Sequence, residues 1–390
     1  MKYQKIVVVF FMLIGFVSIA QNASYKPENE KIHDLVHTKL KVDFNFEDKT
    51  MNGEAWLTAK PHFYSKNKIT LDAKAMLIHE VSMDDKKLNY FYDNLKLSID
   101  LPRTFNRAEE FTIYIKYTAQ PEKVYQKGST AITGAKGLYF INADGSDKNK
   151  PTQIWTQGET EASSCWFPTL DAPNQKTSQE IYITVPNKYV TLSNGELVSQ
   201  VNKGNNRIDY WKFDKKHAPY LFFMGIGVYE IVQDSYKNIP VNYYVEKEYA
   251  PFAKDIFGLT PEMIGFFSDK LGVEYPWNKY SQIVGRDYVS GAMENTSASL
   301  FGEFMNQDSI AYADGNHEDV VSHELFHQWF GDYVTAESWS HLTVNESFAN
   351  YSEYLWREHK YGKDNANAHL LEDTEAYKQG QNFDKHLVRY

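Results

Sequence analysis

Leu40, Val42, Phe44 and Phe46 alternate with charged or amide residues, the two-residue period of a strand that buries one face. Phe111, Ile113, Ile115 and Tyr117 repeat the pattern, as do Ile181, Ile183 and Val185. Glycine-bearing turns such as Asp144-Gly145 and Asn194-Gly195 separate such runs. From about residue 30 to about residue 230 the chain therefore predicts an antiparallel β sandwich or saddle. After roughly residue 235 the period lengthens. Thr260 reads as an N-cap with Pro261 at the first helical position, opening a helix through about Leu271. Gln282–Val284 reads as a short strand. Asn316 with Asp319 fits a capping box, and Gly331 ends the helix it opens. Thr343 opens another helix, carrying Glu346, Phe348, Tyr351 and Leu355. The predicted class is α+β and multidomain, with a β domain over 21–234 and a mainly helical domain with a small sheet over 235–390. No internal repeat or low-complexity linker interrupts it.

The amino terminus changes the picture. Lys2 and Lys5 precede the apolar run Ile6–Ile19, and Ser18 and Ala20 supply small residues before Gln21, which reads as a secretory signal over residues 1–20. The run is short for a span, which needs about twenty residues, and no second long apolar stretch follows. The mature protein is expected to be exported (periplasmic, cell-surface or secreted) without stable membrane insertion. The net charge of −10, with no Lys/Arg run, argues against nucleic acid as a partner. An acidic field suits a cationic substrate such as a peptide amino terminus, though it serves solubility equally. Cys165 is the only cysteine, so an intrachain disulfide and thiolate zinc chemistry are both excluded, and a buried structural role is expected.

The candidate chemistry lies in Val320–Phe330. His323 and His327, four residues apart on a helix, can both reach one metal ion. Glu324, one residue round the helix, can touch water at that ion without binding the ion itself. Two neutral nitrogens, an open position and a carboxylate base are what a zinc hydrolase needs. A third protein ligand is wanted, and Glu346 on the next predicted helix is a candidate. Thr343-Val344-Asn345-Glu346 also fits a capping box, so Glu346 can equally be a helix cap.

His323-Glu324-Leu325-Phe326-His327, then Asn345-Glu346, preceded by Gly291-Ala292-Met293-Glu294-Asn295, resembles the aminopeptidase N family of gluzincin zinc metallopeptidases. Thr156-Gln157-Gly158-Glu159 and Phe167-Pro168-Thr169-Leu170-Asp171-Ala172-Pro173 resemble that family's segment at the end of its β domain. The resemblance implies a thermolysin-like catalytic domain binding one Zn²⁺ per chain through His323, His327 and Glu346, with Glu324 as general base and later acid. It implies that Glu159 and Glu294 hold a substrate's free α-ammonium, and that Gly291 and Ala292 offer backbone groups to an extended peptide. Two acids at one site repel one another unless a cation lies between them, which fits an amine-terminated peptide better than the family's acylated-lipid or epoxide branch.

The family's oxyanion-stabilising Tyr is expected roughly sixty residues beyond the third ligand, farther than Tyr390. The catalytic domain is therefore expected to be incomplete here. The alternative is a weakly active or inactive zinc- or peptide-binding module of the same fold. Trp329 and Phe330 read as core contacts, and His317, His341 and His359 as ordinary histidines. Asn350 reads either as a buttress of the third ligand or as a solvated position. Asn22-Ala23-Ser24 and Asn345-Glu346-Ser347 are glycosylation sequons, the second incompatible with a buried site. Side-chain preference and oligomeric state are not legible.

Overall fold

The computed structural model of the protein describes residues 30–379 apart from 126, 127 and 130. The signal reading of residues 1–20, the Asn22 sequon and Tyr390 lie outside the described residues. The alternating run at Leu40 forms the strand His33–Asn45. It lies inside an eight-stranded sheet ordered Glu196–Lys203, Asn206–His217, Thr177–Pro186, His33–Asn45, Thr50–Pro61, Phe111–Ala119, Met76–Met83 and Lys86–Lys87. One pairing departs from the antiparallel expectation: His33–Asn45 runs parallel to Thr177–Pro186, with Leu40 opposite Ile181. Alternation along each strand is the same in either direction, so the pattern cannot signal this.

One face of this sheet buries Leu40, Ala55, Ile115 and Ile183 completely. That core is shared with Ile69, Leu71, Leu97 and Ile99 from a three-stranded sheet of Lys66–Asp72, Lys96–Phe105 and Tyr90–Tyr92. Truncating one such side chain to Ala costs about 2–5 kcal/mol. A four-stranded sheet, ordered Val190–Ser193, Met224–Gly227, Gln153–Thr156 and Leu138–Ile141, extends the same core and ends where Gln157–Glu159 begin.

A five-stranded sheet follows, ordered Glu230–Tyr236, Ile239–Val245, Tyr280–Gly285, Ala298–Gly302 and Ala292–Met293. Its first strand straddles residues 234 and 235. Its central pairings are parallel and Tyr280–Gly285 is buried throughout, as a strand covered on both faces must be. Around it lie helices α1 (Ala253–Phe257), α2 (Thr260–Leu271), α3 (Ser309–Asp314), α4 (Glu318–Phe326), α5 (Thr343–Tyr361) and α6 (Lys363–Gln379). Phe257, Phe267, Leu325, Phe326 and Trp356 form its core. The β-rich part thus precedes a part that is mainly helical around a sheet. Among the described residues, no helix is long and apolar enough to cross a membrane.

Three helix starts differ from the sequence signals. Thr260 is the first helical residue rather than the cap, because its hydroxyl donates to Gln282 Oε1 at 2.8 Å. α4 starts at Glu318 after His317, whose side chain does not cap it; Asn316 Oδ1 instead accepts from Glu318 N at 3.4 Å. The helix ends at Phe326, so Gly331 (φ +134°) lies in the turn beyond it. α5 follows directly on the short 3-10 turn Trp339–His341, with Leu342 and not Thr343 at its N-cap.

Candidate metal centre

α4 and α5 meet at small and polar contacts: the Ser322 and Ser352 hydroxyls are 3.2 Å apart, and Trp356 Nε1 donates to the buried Glu318 carboxylate. This packing brings His323, His327 and Glu346 together. Glu346 Oε2 lies 3.5 Å from His323 Nε2 and 3.7 Å from His327 Nε2. Donors around a tetrahedral zinc with bonds of about 2.0–2.1 Å sit roughly 3.3 Å apart, so both separations are compatible with one shared ion. His327 is at the C-cap of α4, yet its backbone N still donates to the His323 carbonyl, which keeps the two rings one turn apart. Glu346 makes no capping contact, so of its two readings the structure favours the one that faces the histidines.

The far nitrogen of each ring is anchored. His323 Nδ1 is 2.8 Å from Glu353 Oε1, and His327 Nδ1 is 2.9 Å from the Phe330 carbonyl. Each partner accepts from an Nδ1–H, which leaves the Nε2 lone pair of both rings directed at the space beside Glu346.

Three more carboxylates crowd this space. One donor atom each of Glu294, Glu324 and His327 lie within 4.8 Å of one another. Glu294 Oε1 and Glu324 Oε2 are buried without a hydrogen-bond partner in the protein. Burial, followed by the Glu346 charge, pushes the Glu294 carboxyl up to about 8. Burial also carries Glu324 and Glu159 well above the usual carboxylate range, with Glu294 the next cause at Glu159. Glu346 moves the other way: burial opposes its ionisation, but the two imidazoles hold it below its usual value. Acids so placed favour positive charge between them.

Glu159 arrives from the end of Gln153–Thr156, where Gly158 permits a close crossing: a Cβ there would lie 2.1 Å from the Tyr220 carbonyl. Glu294 follows the edge strand Ala292–Met293, which pairs with Leu300 and Phe301 on one side only. The Gly291 carbonyl accepts from Gly302 N at 2.9 Å, and Ala292 O lies 3.4 Å from the Tyr288 hydroxyl.

Several supporting residues carried no readable signal in the sequence. Gln328 Nε2 donates to the Glu294 carbonyl, and its Oε1 accepts from Ser297 N, both at 2.8 Å. Tyr220, from the β part, donates to Gly331 O at 3.2 Å and accepts from Asn345 Nδ2 at 3.1 Å. Glu353 was reachable in principle, since it lies two turns after Glu346 on one helix face. Asn345 is fully buried and also accepts from Ala336 N, so the Asn345 sequon has no accessible amide. Trp329 is a core residue, while Phe330 is half-buried and stacks on Phe348. His317 meets Phe304 edge-on, His359 stacks on Phe266, and His341 closes the turn before α5. Asn350 is exposed. Cys165 is buried, and burial pushes its thiol up to about 12.

Residues 26–221 match the Peptidase M1 N-terminal domain and residues 256–387 match the Peptidase family M1 domain. The chain is 31% identical over 225 residues to Aminopeptidase M1 of Arabidopsis thaliana, covering 56% of this chain and 26% of that protein. It is 32% identical over 199 residues to Glutamyl aminopeptidase of Bos taurus, covering 48% of this chain and 20% of that one. The chain thus matches about a quarter of the length of these curated relatives. A crystal structure of an M1 zinc metallopeptidase from Deinococcus radiodurans superposes with a TM-score of 0.71 at 19% identity, covering 90% of this chain and 76% of that chain. With both of its parts matched in order, the chain belongs to peptidase family M1.

Proposed function

We propose that the protein is an exported zinc aminopeptidase that hydrolyses the first peptide bond of peptides with a free amino terminus. The observation that carries this reading is the convergence of His323 Nε2, His327 Nε2 and Glu346 Oε2 beside the unpartnered carboxylates of Glu294 and Glu324. One Zn²⁺ per chain, held by these three residues, would polarise the scissile carbonyl and acidify water.

The chain's own residues supply the rest. Glu159 and Glu294 receive the α-ammonium, whose charge relieves the repulsion between two buried acids. Fixing the amine there registers the first peptide bond beside the histidines and excludes peptides with a blocked terminus. Glu324 takes a proton from water at its free oxygen and passes it to the leaving nitrogen. The open edge at Gly291 and Ala292 orients the extended substrate through its backbone groups. Export rests on the charged and apolar pattern of the first twenty residues.

The test is hydrolysis of an aminoacyl arylamide, of its N-acetylated analogue, and of the first compound after chelation. The reading expects turnover of the free amine alone and none without metal. Equal cleavage of the blocked compound, or turnover that survives chelation, contradicts it. Zinc and peptide binding with no turnover points to the binding module instead.

A further inference from the structure

Glu353 touches two imidazoles, one at each oxygen. Oε1 faces His323 Nδ1 at 2.8 Å, and Oε2 faces His369 Nε2 at 3.0 Å. His323 and Glu353 belong to α4 and α5, whereas His369 belongs to α6. None of the three side chains is more than 17% exposed. Asp373, one turn along α6, approaches the same His369 nitrogen at 3.7 Å.

We propose that His369 is a positioning residue for the metal site, holding His323 through Glu353 and thereby coupling the docking of α6 to metal binding. This rests on the reading of His323, His327 and Glu346 as zinc ligands. A carboxylate fixed at one oxygen only can swing about its terminal bond, and the imidazole it orients turns with it. Fixed at both, it holds the His323 ring with Nδ1 as donor and Nε2 free.

The other contacts of α6 make the coupling measurable. Its one buried side chain is Ala366. Two further polar links join α6 to α5: Tyr354 to Asn367 at 3.3 Å and Arg357 to Asn365 at 3.1 Å. A helix with so little apolar burial opens readily, so each polar link matters to its docking, the one through Glu353 included. Coupling of this kind is reciprocal: if α6 strengthens metal binding, metal strengthens the docking of α6.

The experiment measures zinc affinity by competition with a chromophoric chelator, and hydrogen exchange across 363–379 with and without zinc. His369→Ala is expected to weaken zinc about tenfold, the low end of the losses that follow removal of a ligand's own hydrogen-bond partner, here Glu353, and to abolish zinc-dependent protection of α6. His369→Gln, whose amide can still donate to Glu353, is expected to restore most of the affinity. Asn367→Ala, which breaks a neighbouring α5–α6 contact, is expected to leave affinity unchanged. An affinity in His369→Ala within twofold of the wild type overturns the proposal. So does an equal loss in Asn367→Ala, since general helix docking then accounts for the effect. Failure of the wild-type chain to bind zinc overturns the metal-site reading itself, and the relay with it.

Discussion

The carboxamide of Gln328, one residue past the second imidazole, donates to the main-chain carbonyl of Glu294 at 2.8 Å. Through its own carbonyl oxygen it also accepts from Ser297 N. The two contacts fix the distance between the metal helix and the carboxylate assigned to the substrate's amine. That distance defines which peptide bond is reached. Gln328→Ala is expected to raise KM for an aminoacyl arylamide about tenfold while zinc content stays at one per chain, a loss equivalent to about 1.4 kcal/mol. Steady-state kinetics with metal analysis checks it.

A second clamp joins the β part to the site. Tyr220 donates to Gly331 O and accepts from Asn345 Nδ2, in a position that is fully buried. Tyr220→Phe keeps the ring and leaves an amide and a carbonyl short of a partner. The expected cost is about 1–3 kcal/mol of stability, measured by urea unfolding.

Lys279 predicts a pH effect away from the metal. Its ammonium is buried, donates to the carbonyl and hydroxyl of Ser297, and lies 5.6 Å from the Trp211 ring centre. Burial, only partly offset by the Glu196 charge, pulls it down to about 7 from 10.5. Between those values the unfolded chain keeps a proton that the folded protein has shed, so this residue's contribution makes stability rise with pH from about 7 to about 10.5. Lys279→Met should lose that rise. Its Tm relative to wild type should therefore fall as pH increases through that window; a pH-independent difference contradicts the assignment.

Metal removal is a third handle on the site. If four carboxylates are gathered for cations, zinc stabilises the folded state by mass action, about 2.7 kcal/mol at a hundredfold excess over Kd. Chelation should lower Tm and zinc should restore it. His327→Ala should be insensitive to both.

Much of this site was legible because helical spacing is local. His323 and His327 stay one turn apart whatever packs around them, and Glu346 was one helix away. Glu159 and Glu294 were not legible from their surroundings. A lone acid after a strand looks the same in sequence whether it faces water or a histidine, so only the family resemblance singled them out. Gln328 and Tyr220 were missed because their roles come from contacts between distant segments. The parallel pairing of His33–Asn45 with Thr177–Pro186 escaped for a related reason, since alternation records burial and not direction. The helix start at Thr260 shifted because a tertiary partner, Gln282, took the hydroxyl expected to cap it.

If Glu324 moves the proton while the histidines and Glu346 hold the metal, removing its charge costs rate without costing zinc. The most direct measurement is the kcat of Glu324→Gln on an aminoacyl arylamide, with its zinc content determined on the same sample. The expected result is one zinc per chain and a kcat reduced at least about a hundredfold, within the usual range for a general base. Hydrolysis near the wild-type rate with zinc bound would contradict it.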